Sequence, residues 1–214
     1  MPSAEPSGAV GDDAAAQRQA LLRVLRLEPR GSANRHSAEI HRLIAALERA
    51  TPADLAAPDT LQQLEGVWEL RWSSSSQPYL SVAPWLENLQ CLAPFQGRGM
   101  NLLRPPGTLA NWAGIAVEAA IALPPPAATA RPSQRVTVRF QRGGWLGPAV
   151  GTRRLQWLRR VNQSFPAWLD ITVLDDALRI CRGNAGTVFA LLRRPDLPLE
   201  RLMPPPQGPE TAQS

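Results

Sequence analysis

Near Pro58 the hydrophobic pattern of this 214-residue chain changes period, and that change constrains the fold more than any single motif. Before it the apolar residues recur with helical spacing. From Ala14 to Glu28 the residues are strong helix formers, and Leu21, Leu22, Val24 and Leu25 form an apolar stripe that Pro29 and Gly31 bring to an end. Ser37 offers an N-cap to a second helix, in which Ile40, Leu43, Ile44 and Leu47 fall at i, i+3, i+4 and i+7 and so share one face. Thr51-Pro52, with Asp54 close behind, predicts a short third helix running toward Ala57. After Pro58 the period is two. In Gly66-Val-Trp-Glu-Leu-Arg-Trp72 the side chains of Trp68, Leu70 and Trp72 point one way and those of Val67, Glu69 and Arg71 the other, as on a half-buried strand.

Further strands are predicted at 115–123, 136–140, 169–174, 178–182 and 187–192, separated by Gly, Pro, Asn and Asp. Asp175-Asp176 and Gly183-Asn-Ala-Gly186 supply tight turns, so the last three strands read as an antiparallel meander. Short strands at this spacing imply a barrel or a sandwich. Pro124-Pro125-Pro126 reads as a linking loop. The expected organisation is a helical extension over 1–58, a β domain over 59–194 and a disordered tail over 195–214.

Composition removes several function classes. Cys91 and Cys181 are far apart and match no metal spacing, and the only histidines, His36 and His41, lie on or beside the second helix with no obvious nucleophile partner. The expectation is therefore no metal, no cofactor and no enzymatic activity. The two cysteines read as buried thiols, with a disulfide between them left open. No apolar run reaches the roughly 20 residues that span a bilayer. The beginning of the chain shows no secretion signal, and Asp12 and Asp13 argue against a transit peptide. All 23 basic residues are arginine. Between Glu118 and Asp170 lie Arg131, Arg135, Arg139, Arg142, Arg153, Arg154, Arg159 and Arg160, with no carboxylate among them. Such a one-signed stretch favours an anionic partner, either lipid headgroups or phosphate backbones.

Three segments resemble a known family. Leu64-Glu-Gly-Val-Trp-Glu-Leu-Arg-Trp-Ser-Ser-Ser75 is similar to the opening strand of the plastid lipid-associated protein (PAP)/fibrillin family, and its Gly-x-Trp also resembles lipocalins. The run from Leu169 to Leu191, with its acidic turn, Leu-Arg-Ile, Arg-Gly-Asn and closing strand, is similar to that family's C-terminal signature. Pro29-Arg-Gly31 and Leu47-Glu48 look like its helical lead-in, while 76–158 aligns only loosely. The resemblance implies a mainly β protein, a lipocalin-like antiparallel β-barrel preceded by two or three helices. It also implies non-catalytic binding of lipid, quinone, carotenoid or similar apolar molecules at thylakoids or plastoglobules. Without a transit peptide, a cyanobacterial-type member is expected, cytoplasmic or peripherally bound to thylakoids.

A barrel of about eight strands holds one small ligand, with inward residues alternating along each strand. Trp68, Leu70, Trp72, Ile115, Val117, Val136, Val138 and Phe140 are then the candidate wall, or else simply a packed core. In Leu178-Arg-Ile-Cys-Arg182 the side shared by Leu178, Ile180 and Arg182 is the apolar one, so Arg182 is a candidate to face inward and stack on Trp68 or hold a ligand carboxylate; the alternative is that it faces solvent. Arg153, Arg154, Trp157, Arg159 and Arg160 interleave charge and aromatic surface, which suits an anionic membrane or, as the alternative function, single-stranded nucleic acid.

Overall fold

The computed structural model describes residues 8–77, 80–123, 132–150, 153–163 and 167–203. Three helices, α1 (Gly8–Leu25), α2 (Ser37–Ala50) and α3 (Thr60–Leu64), come first. The strands follow as β1 (Gly66–Ser73), β2 (Glu87–Ala93), β3 (Arg98–Arg104), β4 (Gly114–Ala122), β5 (Arg135–Val150), β6 (Arg153–Arg160), β7 (Ala167–Leu174), β8 (Leu178–Gly183) and β9 (Val188–Arg193), with α4 (Leu199–Leu202) last. Every strand pairing is antiparallel. Following the ladders from β1 through β2, β3, β4, β5, β7, β8 and β9 returns to β1, so eight strands close a barrel, and β6 hangs outside it on β5. The mainly β, lipocalin-like architecture with helices in front is thus what the chain adopts.

Closure gives the sheet an inner and an outer face, and both are largely covered. Leu21, Leu25, Ile40, Leu43, Ile44 and Leu47 pack with Val173, Leu178, Ile180, Val188 and Ala190 on the outer face of β7, β8 and β9. Each such side chain contributes roughly 1.5–3 kcal/mol on burial, against about 1 kcal/mol or less for each rim ion pair, Arg18 with Asp175 and Arg182 with Glu48. The apolar face therefore docks the helices, and the ion pairs fix where along the strands they sit. Arg71 completes α1, donating from Nε to the Leu25 carbonyl at 2.9 Å and from its terminal nitrogen to the Leu27 carbonyl at 3.0 Å.

Another stretch of outer face, on β1 to β4, carries Val67, Leu89, Cys91, Met100, Leu102 and Ala116, packed with Met203 and with Leu197, Leu199 and Leu202. Residues 195–203, which the sequence places at the start of a tail, are thus partly seated on the barrel; 204–214 and the proline run at 124–126 lie outside the described residues. Between the two covered stretches Glu69 and Glu87 are buried among Arg30, Arg71, Arg104 and Arg194. Burial alone would raise the Glu69 carboxyl. The hydrogen bond from Arg30 and the charges of Arg194 and Arg71 outweigh that and hold it below its ordinary value.

Three expectations change. The third helix begins at Thr60, because Ala53 and Leu55 donate instead to the Thr172 and Ser133 carbonyls, and tertiary pairing outweighs the local cap signal at Thr51-Pro52. Strands β2, β3 and β6 are additional, and β5 runs ten residues beyond Phe140. Finally, a bulge between Leu70 and Trp72 shifts the register of β1 against β9, so Trp72 pairs with Ala190 on the outer face. There it lies under α2, donating from Nε1 to Ser37 Oγ at 3.0 Å and meeting the His41 ring edge-on at 4.9 Å. Trp72 therefore does not line the bore.

Candidate functional site

The bore is sealed at one end and open at the other. At the sealed end Trp68, Leu70, Ile121, Val136, Ile171, Phe189 and Leu191 form a buried cluster with Leu55 and Leu64 from the segment beneath it. Trp68 is fully buried, and its Nε1 donates to the Leu64 carbonyl at 2.9 Å. Arg193 lies over the Trp68 ring at 4.3 Å and donates to the Glu65, Asp176 and Gln63 carbonyls, tying α3 across the opening. A cleft of about 420 Å³ between Leu55, Pro58, Leu61, Phe95 and Leu123 lies at this sealed end.

Toward the other end the inward residues gain exposure: Leu103, Val117, Val138, Phe140 and Leu169 are half-buried, and Asn101 is exposed. The geometry of β5 explains why. Among the described residues its ladder with β7 covers Arg135 to Val138, and from Arg142 onward β5 pairs with β6. At the parting point the Phe140 amide donates to Gln163 Oε1 at 2.6 Å. Strand β4, the far half of β5 and β6 continue as a flap, on which the inner face runs out into solvent. Ile115 lies opposite Trp145, and Trp145 opposite Trp157, so the three share one row. They are 59%, 44% and 65% exposed, and Leu155 shares their face. The Arg159 guanidinium sits 5.0 Å over the Trp157 ring. Gly144, with φ +157°, is needed at the centre of the flap, because a Cβ there would collide with the Trp157 carbonyl oxygen.

The candidate wall is thus divided. Trp68, Leu70 and Val136 belong to the sealed floor, Val117, Val138 and Phe140 to the open part, and Ile115 to the flap rim. Of the candidate surface residues, Trp157, Arg159 and Arg160 are exposed on β6, but Arg160 pairs with Arg142 on the opposite face from Trp157. Arg153 and Arg154 lie on the same strand, and their side chains are outside the described residues. Arg135 and Arg142 are engaged by Asp170 and Glu118, which leaves Arg139, Arg159 and Arg160 as exposed arginines of the acid-free stretch with no ion pair among the described residues.

Arg182 does not face the bore. It is on the outer face, bound by both nitrogens to Glu48 of α2 at 2.7 Å. The apolar side of β8, marked by Leu178 and Ile180, is the side under the helices, so the two arginines of β8 exchange the places that alternation alone suggests. The inward one is Arg179, which is 1% exposed, lies 5.1 Å from the Trp68 ring and donates to Gln90 across the bore. Its neighbour Cys181 also faces inward, whereas Cys91 faces outward, so the two thiols are free and on opposite faces of the wall. Burial pushes the Cys91 thiol up to about 12, with Arg104 opposing, and pushes Cys181 up as well, so both stay protonated at neutral pH.

Among the described residues no cluster of His, Cys, Asp or Glu could hold a metal, and no helix is long and apolar enough to cross a membrane. No curated protein and no solved structure matches the chain. Residues 128–192, which include β5, β6, β7 and β8 and most of β9, match the PAP_fibrillin family model, and with the barrel and its helical lead-in this match supports membership of the PAP/fibrillin family.

Proposed function

We propose that the protein binds an apolar small molecule in the open part of its bore, without catalysis, while the flap rests on an anionic membrane surface. The observation that carries this reading is the continuity of the inner face: half-buried Val138, Phe140 and Val117 lead directly to exposed Ile115, Trp145 and Trp157. An apolar wall that runs onto an exposed tryptophan row beside arginines suits the lipid interface, where indole rings and cations both find favourable surroundings. The family match supports a lipid-associated role, and a photosynthetic membrane as the setting is what the resemblance of the sequence implies.

Two measurements test the proposal. An organic extract of the purified protein is expected to contain pigment, quinone or lipid, and Phe140→Ala to reduce that load. Vesicles of phosphatidylcholine with phosphatidylglycerol are expected to bind the protein, and Trp145→Ala/Trp157→Ala to weaken binding by about tenfold, as the loss of two interfacial aromatics implies. Equal affinity for neutral and anionic vesicles, together with tight binding of single-stranded DNA, would favour the nucleic-acid alternative.

A further inference from the structure

Among the described residues Arg179 is a buried cation without an anion. It is 1% exposed, its Nε meets no hydrogen-bond partner, and the side chains it does meet, Gln90 and the protonated Cys181, are both neutral. Among the described residues no carboxylate pairs with it, in contrast to Glu69 and Glu87 on the outer face, each of which is surrounded by arginines. Burial disfavours the Arg179 charge most, Cys181 opposes that, and Arg193 adds repulsion, so its proton affinity falls below the ordinary value. An arginine nevertheless keeps its charge in a protein, and an uncompensated buried charge is costly.

Its place in the bore says what could relieve that cost. By register Arg179 stands opposite Leu191, which stands opposite Leu70, and it reaches across the bore to Gln90, which stands opposite Trp68. Along β7 to β9 the buried residues Ile171, Cys181 and Phe189 lie on the flap side of this bridge, and the half-buried apolar wall of Val117, Val138, Phe140 and Leu169 lies beyond them. We propose that Arg179, with Gln90, is the head-group site of the bore and that the ligand is an acidic lipid, a long-chain carboxylic acid held tail toward the flap with its carboxylate on the guanidinium. This rests on the reading that the bore takes an apolar ligand, and it gives that ligand one charge and one orientation. A guanidinium in a site of low dielectric is matched by a carboxylate far better than by a hydroxyl.

The test is calorimetric titration of the delipidated full-length protein with oleate and with oleyl alcohol, both below their aggregation concentrations. Oleate is expected to bind at least about tenfold more tightly, and Arg179→Met to bring oleate down to the alcohol's affinity while leaving the alcohol unchanged. The unliganded Arg179→Met variant is expected to melt no lower than the wild type, which an arginine of purely structural value would not allow. Equal affinity for the two ligands overturns the head-group assignment and leaves the apolar bore standing. The same holds for an acid preference that survives Arg179→Met. Failure of both ligands to bind overturns the assignment and the reading of the bore together. Should Arg179→Met not fold, the acid-to-alcohol ratio of the wild type decides alone.

Discussion

Arg193 and Arg179 both lie against Trp68, yet they do different work. Arg193 satisfies three backbone carbonyls, Asp176, Gln63 and Glu65, the last two at the end of α3, and it covers the indole ring, so it is a closing device. Hydrogen bonds from a charged donor contribute roughly 1.5–3 kcal/mol each, and their net loss is offset in part by water at this partly exposed site. Arg193→Met is accordingly expected to lower stability by about 2 kcal/mol in urea unfolding and to raise the exposure of Trp68 to an aqueous quencher. At this scale the sequence was legible in part. The Gly-x-Trp identified Trp68 as an inward residue, and the β8 motif drew attention to an arginine. Alternation chose Arg182 over Arg179, because it assumes that the apolar side of a strand faces the bore. On β8 both sides are buried, and the side facing the helices is the more apolar.

Strand β2 shows the same difficulty across a whole element. Glu87, Leu89, Cys91 and Ala93 are its buried side and face outward, while Asn88, Gln90 and Leu92 face the bore. A carboxylate on the buried side and amides toward the interior reverse the usual pattern, so the segment carries no clear strand signal. Strand β3 is interrupted in the same way by Gly99 and Asn101, and β6 reads as a charged surface run because its far edge has no strand partner among the described residues. The bulge that turns Trp72 outward leaves no mark in composition at all. The flap as an element depends on Gly144. Gly144→Ala is expected to abolish vesicle binding while leaving the melting temperature of the barrel within about 3 °C of the wild type, since the positive-φ strain and the collision with Trp157 fall outside the closed ring of strands. A fall in stability of the whole domain would show that flap and barrel are one cooperative unit.

For the molecule as a whole, the helical lead-in, the barrel and the segment after β9 are joined through carboxylates held below their ordinary range. Glu69 is one. Asp175 is another: burial would raise it, and the hydrogen bonds from Arg18 and from the Ala177 and Leu178 amides outweigh that. A carboxyl depressed by folding stabilises fully above its unfolded value, near 4.5 for Glu69 and 3.8 for Asp175, and that contribution is lost as pH falls through the lower folded values. Urea midpoints are therefore expected to be flat from pH 7 to pH 5 and to drop below about pH 4. Glu69→Gln leaves Arg30, Arg71 and Arg194 short of a partner and is expected to cost about 3 kcal/mol at pH 7, with a shallower fall in acid.

The covering of the wall is uneven around the ring, and this grades the molecule's resistance to opening. Strands β1, β8 and β9 lie between the bore cluster on one side and helices, an ion network or the C-terminal segment on the other. Along β5 four residue pairs join it to β7 among the described residues, and beyond them the strand is held by β4 and by β6, whose outer edge has no strand partner among the described residues. Local unfolding starts where few apolar contacts must be given up. The seam between β5 and β7 is thus the place where the wall can part and reseal on its own, on a timescale set by four backbone pairs rather than by the unfolding of the barrel.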